Sequence, residues 1–151
     1  MDDQITTIQN KAIELFDLLG FSEHPIVTQR DRVYNVRFEV REPNYLIGRQ
    51  GETLDALQHV LRLLINRELD LADRLVIIDV NGYREKKTKN IEKKAKESAY
   101  IVRETGRDIE IPFLNSFERR IVHSIISTIA DVESVSTGEG NERKIVIKKK
   151  K

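Results

Sequence analysis

The chain has 151 residues, of which 39% are apolar and 34% charged, a balance that fits one ordinary domain or two small ones with a well-solvated surface. There is no cysteine, which excludes disulfides and thiolate metal sites, no apolar run reaches the length of a membrane span, and the Met1-Asp2-Asp3 opening is acidic where a secretory signal is basic. Net charge is +1, but residues 1–82 carry 9 Lys+Arg against 14 Asp+Glu, net −5, whereas residues 83–151 carry 17 against 11, net +6.

That asymmetry predicts two units with different surfaces, 1–82 and 83–151, and the missing cysteines, membrane-length run and signal pattern lead to the expectation of a cytoplasmic protein without direct membrane insertion. Ile5, Ile8, Ala12, Leu15, Phe16 and Leu19 recur at helical spacing, with Gly20 as the C-cap. An extended segment starts at Pro25-Ile26-Val27. Asp31-Arg32 turns it into a strand where Tyr34, Val36, Phe38 and Val40 alternate with polar residues. Pro43-Asn44 opens a short helical turn that ends at Gly48. A longer helix after Gly51 buries Leu54, Leu57, Leu61, Leu64 and Ile65, and 75–80 is a buried strand closed by Asn81-Gly82. The order is helix, strand, strand, short helix, glycine loop, helix, strand.

In the second unit, Ile91, Ala95, Ala99 and Val102 mark a helix that stops at Gly106, and Ile109 and Ile111 form a short strand. Asn115 caps the next helix, with Glu118 placed to complete a capping box. The apolar stripe of that helix is assigned to Phe117, Ile121, Val122, Ile125, Ile126 and Ile129. Two strands follow, near 132–137 and 144–148. The fold class is α+β in two small domains, the second with helices packed on a small sheet.

The stretch LIGRQGETLDALQ places Gly48 and Gly51 around Arg49 and Gln50, ahead of an amphipathic helix. Two glycines let backbone N–H groups face an approaching anion without a Cβ in the way, and the helix start adds a positive dipole end. No Lys-Ser/Thr pair follows at P-loop spacing, and the third glycine and preceding strand of a dinucleotide fingerprint are missing. What remains is the glycine-x-x-glycine loop of a KH domain, which clamps a single-stranded nucleic-acid backbone, and the element order fits the type II arrangement. Glu52 and Asp55 in the following turn oppose phosphate, so this site is expected to be weak.

From Arg84 to Lys96 there are seven basic residues against two acidic ones, a solvated helix face or a phosphate track that includes Arg84, Lys86, Lys87 and Lys89. In NSFERRIVH, Arg119 and His123 are four apart and share a helix face, with Arg120 also outside the apolar stripe. Such a pair contacts phosphates or a base, or else simply pairs with a carboxylate and fills the core edge.

Together the loop segment Tyr45–Gln58 and the downstream Leu114–His123 resemble the bacterial Jag/KhpB family, a type II KH domain followed by an R-3-H domain named for Arg-x-x-x-His. The resemblance covers about Ile5 to Ile147. It implies an RNA-binding regulator rather than an enzyme, linked to a KH-only partner, to cell elongation and division, and to a membrane-protein insertase. The matching positions are Gly48, Arg49, Gln50 and Gly51 in the loop and Arg119 and His123 in the pair. Gln50 stands where relatives often have a basic residue, and nothing here corresponds to the N-terminal domain and charged linker of many relatives, which implies a short member or a fragment.

The expected ligand is single-stranded RNA or DNA, with Ile47 touching bases beside the loop and Arg119, Arg120 and His123 adding contacts. The alternative is an adaptor that pairs through its first unit with itself or a KH-only protein, motivated by the acidic first half. No cofactor or metal is expected: His24, His59 and His123 are far apart, and no His-Glu-x-x-His pattern occurs.

Overall fold

The computed structural model describes residues 3–151; Met1 and Asp2, which begin the acidic opening, lie outside the described residues. The elements in order are α1 (Asp3–Leu18), β1 (Ile26–Arg30), β2 (Val33–Phe38), α2 (Asn44–Ile47), α3 (Glu52–Asn66), β3 (Leu75–Val80), α4 (Tyr83–Thr105), β4 (Ile109–Ile111), α5 (Ser116–Ser127), β5 (Val132–Thr137) and β6 (Lys144–Lys149). Turns of 3-10 helix cover Arg49–Gly51 and Gly140–Glu142. The chain forms two compact α+β units, divided between Arg84 and Glu85.

In the first unit, α1 buries Ile8, Ala12, Leu15 and Phe16, one stripe of a 3.6-residue period. Leu19, grouped with that stripe by spacing, is instead exposed, because α1 ends at Leu18 and Gly20 (φ 86°) turns the chain away. Phe16 stacks on Phe38 with ring centroids 3.4 Å apart. The sheet order is β1-β2-β3. β1 and β2 are antiparallel across the Asp31-Arg32 turn, whereas β2 and β3 are parallel. Their register sets Tyr34 opposite Val76, Val36 opposite Ile78 and Phe38 opposite Val80. All six are buried, so one sheet face supplies the core and the opposite strand residues stay half-buried or exposed. Beyond Phe38, the Asn81 amide extends the pairing by exchanging two 2.8 Å bonds with the Val40 backbone.

A parallel pair needs a crossover, since a tight turn cannot join its strands. Here the crossover is α2, the glycine loop and α3. α3 covers the sheet with Leu54, Leu57, Leu61 and Ile65; Leu64 packs at the edge of the core. The glycine loop is therefore pinned between two helices that the sheet topology itself requires.

In the second unit, β6 is the central strand, with the antiparallel order β4-β6-β5. Ile145 and Ile147 face α4 and α5, whose Ile91, Ala95, Ala99, Val102, Val122 and Ile126 complete the core with Ile111 and Val132. The apolar stripe of α5 differs from the expected one. Phe117 is 65% exposed, and the row turned fully inward is Glu118, Val122 and Ile126, with Ile121, Ile125 and Ile129 at the edge.

Glu118 is buried because its carboxylate has two partners. It accepts the Asn115 N–H at 2.9 Å, while the Asn115 side chain accepts the Glu118 N–H at 2.9 Å, completing the capping box. The Lys87 ammonium on α4 lies 2.6 Å from the same carboxylate. Removing one partner of a buried ion pair strands the other. Glu118→Ala is expected to destabilise the second unit by about 3 kcal/mol, through the lost cap and the stranded lysine. Urea denaturation followed by circular dichroism checks this, and a change under about 0.5 kcal/mol would refute it.

Candidate nucleic-acid interface

The glycine loop has an unusual backbone. Gly48 (φ 71°), Gln50 (φ 56°) and Gly51 (φ 85°) all lie at positive φ. A Cβ at Gly48 would meet Thr53, 2.7 Å from its Cβ and 3.0 Å from its backbone nitrogen. A Cβ at Gly51 would lie 3.0 Å from Tyr83 Cε1. Gly48 is thus demanded by the protein's own packing as well as by φ, whereas Gly51 is favoured by its φ and by the close approach of Tyr83. Several loop amides are also turned inward: Gly48 N–H donates to Asn44 O at 2.9 Å, Gly51 N–H to Gly48 O at 3.4 Å, and Glu52 N–H to Arg49 O. The side chains presented outward are those of Arg49 and Gln50, both exposed, while Ile47 is half-buried against the first core.

The basic run divides by function within the fold. Arg84 donates Nε to Ile78 O at 2.9 Å and Nη2 to Gln58 Oε1 and Asp55 Oδ1, each at 3.1 Å. Asp55, expected to repel phosphate, is neutralised by that contact. Lys87 is held by Glu118, and Lys89 pairs with Glu85 at 2.7 Å on the exposed face of α4. Lys86 is exposed beside them. Arg84 lies in the first unit, bonded to Asp55 and Gln58 of α3, whereas Lys86, Lys87 and Lys89 belong to the second unit.

Arg119 and His123 are brought together on α5, both half-buried. Arg119 donates Nη1 to Leu114 O at 2.6 Å and Nη2 to Ser116 Oγ at 3.0 Å, which fixes the guanidinium over the helix start. Two of its five N–H groups are used in this way. His123 lies between two serines of β5, with Nδ1 2.6 Å from Ser134 Oγ and Nε2 2.8 Å from Ser136 Oγ. A neutral imidazole has one donor and one acceptor nitrogen, and hydroxyls serve as either, so both contacts suit the uncharged ring. Arg120 is exposed on the adjoining face.

Burial, followed by the positive charges of Arg119 and Arg143, lowers the His123 pKa below its ordinary value of 6.5. Arg143, Ser134 and Ser136 were not among the residues singled out by sequence. Ser134 and Ser136 alternate with Val132 on the half-buried side of β5, a face where apolar residues are the usual occupants, and that alternation was their only sequence signal.

Because folding disfavours the imidazolium, the folded state binds fewer protons than the unfolded chain, and stability rises with pH. The His123 contribution is present above 6.5 and is lost as pH falls through the depressed folded pKa. His123→Asn is expected to flatten the acid-side fall of the thermal midpoint between about pH 7 and pH 5. An unchanged slope, or an imidazole that titrates above 6.5 by NMR, would refute this reading. In the loop, Gly48→Ala is expected to cost about 2 kcal/mol or more, since strain and overlap with Thr53 add. Gly82→Ala has a similar φ of 67° but open space around its Cβ, and is expected to cost only about 1 kcal/mol in the same denaturant titration.

Residues 87–149 match the R-3-H domain family. Over 151 aligned residues the chain is 32% identical to the RNA-binding protein KhpB of Clostridium symbiosum, covering 96% of this chain and 68% of that one. It is 31% identical to the Bacillus subtilis protein of the same name, with 83% of this chain and 62% of that protein covered. For the Lactiplantibacillus plantarum protein, also named RNA-binding protein KhpB, the figures are 27%, 85% and 40%; the chain thus spans less than two thirds of these last two relatives. With an R-3-H match across the second unit and this similarity running through both, the chain belongs to the KhpB family.

Proposed function

We propose that this chain is a cytoplasmic single-stranded RNA-binding protein acting in post-transcriptional regulation, with a type II KH module over residues 1–82 and an R-3-H module over residues 83–151. The observation that carries the proposal is the cluster on α5: a fixed Arg119, a neutral His123 and the nearby charge of Arg143, set in the unit with net charge +6. The RNA-binding names of the relatives support it. In this reading Arg119 and Arg120 meet phosphates, and His123 either donates to the chain or becomes protonated as a phosphate approaches and offsets the two arginines. Arg49 and Gln50 add a weaker backbone contact in the first unit, with Ile47 beside them. Lys86 and Lys89 extend the charge along α4, while Arg84 and Lys87 act by holding the structure.

A specific observation favours a second reading for the first unit. Val60 and Leu63 on α3 are 41% and 55% exposed, and the unit is net −5, so an interaction with a second KH unit, its own copy or a KH-only protein, is the adaptor alternative. It would give a dimer by light scattering that survives high salt and is lost in Val60→Glu/Leu63→Glu.

The test is fluorescence anisotropy with a mixed single-stranded RNA pool across a salt series. The parent is expected to bind with an affinity that falls as salt rises. Arg119→Ala/His123→Ala is expected to lose roughly ten-fold and to show a shallower salt dependence. Arg49→Asp/Gln50→Asp is expected to lose only a few-fold, about 1 kcal/mol or less. Absence of salt-sensitive binding by the parent at low salt would end the proposal.

A further inference from the structure

The chain has five phenylalanines. Phe16 and Phe38 are fully buried and Phe21 packs against the core, whereas Phe113 and Phe117 are each 65% exposed. A single exposed apolar side chain is ordinary. Here both exposed rings fall within five residues, and Arg119 and Arg120 follow Phe117 on the same helix. Phe117 is in the first turn of α5 with Glu118 directed inward beside it. Residues three and four apart are neighbours on a helix surface, so Arg120 adjoins Phe117 on one side and His123 on the other, and Arg119 adjoins His123. Aromatic ring, guanidinium and imidazole thus form a continuous band across the outer face of α5.

The band is chemically specific. Sixty-five per cent exposure of a phenylalanine leaves a ring face in water that burial would stabilise. A second protein surface would have to neutralise Arg119 and Arg120 while covering the ring. A nucleotide satisfies both demands at once, since its base offers a flat π-face and its phosphate a negative charge at adjacent positions.

We infer that Phe117, assisted by Phe113, is a base-stacking platform of the second unit, and that its ligand is an unpaired nucleobase whose flanking phosphates are held by Arg119 and Arg120. This rests on the single-stranded nucleic-acid reading above and adds to it a contact that reads the base rather than the backbone. Stacking accepts any base, so the platform contributes affinity with little sequence preference.

The chain has no tryptophan, so Phe117→Trp introduces a sole indole reporter at an exposed position. The probes are a single-stranded RNA of about twelve nucleotides, its DNA counterpart, and an RNA of the same length and charge with abasic sites throughout. The full-length variant is titrated while anisotropy of a labelled oligonucleotide records occupancy. The expected result is quenching of the indole at saturation by the RNA but not by the abasic strand. Phe117→Ala should bind the RNA roughly ten-fold more weakly, with the abasic strand unaffected. Phe113→Asn, which keeps the left-handed backbone of that residue (φ 61°) accessible, should show a smaller loss in the same direction. Equal quenching by saturating DNA supports stacking, since a base plane carries no 2′-hydroxyl, whereas equal quenching by the abasic RNA assigns the contact to sugar or phosphate and overturns it. Saturating RNA binding without quenching, with Phe117→Ala equal to the parent, overturns the platform and leaves RNA binding standing. No binding by the parent overturns both.

Discussion

The second unit is organised around one buried carboxylate. Glu118 sits at a position where helical periodicity would place an apolar side chain, and it is tolerated because every demand of its charge is met: a lysine 2.6 Å away and a backbone N–H at 2.9 Å. An unpaired carboxylate there would cost several kcal/mol, on the order of the stability of a small domain. The consequence is geometric. Lys87 belongs to α4 and Asn115 to the start of α5, so the carboxylate sets where α5 begins and how it is rotated about its axis. With Glu118 inward, Phe117 is outward, and Arg119 is carried to the edge where Leu114 O and Ser116 Oγ can hold it. The exposed band on α5 is a phase choice of one helix, and the partners of Glu118 favour that choice.

His123, one turn beyond Arg119 on the same edge of α5, shows the same economy. Both ring nitrogens already have hydroxyl partners on β5, so the imidazole is oriented without needing charge. Two arginines nearby make protonation still less favourable. The site in its resting state is therefore a pair of guanidinium charges with a neutral, oriented ring between them. An anion in that position would reverse the balance, since its charge favours the imidazolium that the arginines oppose. The histidine then strengthens its own contact as the ligand arrives, which a lysine, charged at all times, cannot do.

Much of this architecture was legible in the residues. Alternation of Tyr34, Val36 and Phe38 fixed a strand and its inward face, and Asn115 with Glu118 fixed a helix start to the residue. Phe117 was misplaced because α5 carries two adjacent rows, 117–121–125 and 118–122–126, and hydrophobicity favours the first. The second row can turn inward because Glu118 is satisfied by the capping box and by Lys87, and the lysine, thirty-one positions earlier in the sequence, is a partner that no local pattern encodes. The same holds for Ser134 and Ser136, which reach His123 because α5 packs on β5, and for Arg143, which approaches from just before β6. At the glycine loop the spacing was read correctly as demanding bare backbone, but the approaching atoms are those of Thr53 and Tyr83, and sequence cannot distinguish an internal neighbour from a ligand.

That distinction changes how the two units divide the work. A loop whose glycines are filled from behind and whose amides are largely turned inward offers its exposed tip, Arg49 and Gln50, and little else. It stands in the stretch 1–82, which is net −5, so long-range electrostatics disfavour the approach of a polyanion there. A strand of nucleic acid would be drawn first to the +6 unit, where charge and exposed aromatic rings coincide. Two weak contacts carried on one chain would, under the proposed function, gain occupancy through effective concentration, so the loop need not bind strongly by itself. Under the proposed function the order of engagement follows from charge: the α5 band captures, and the glycine loop samples what has been captured.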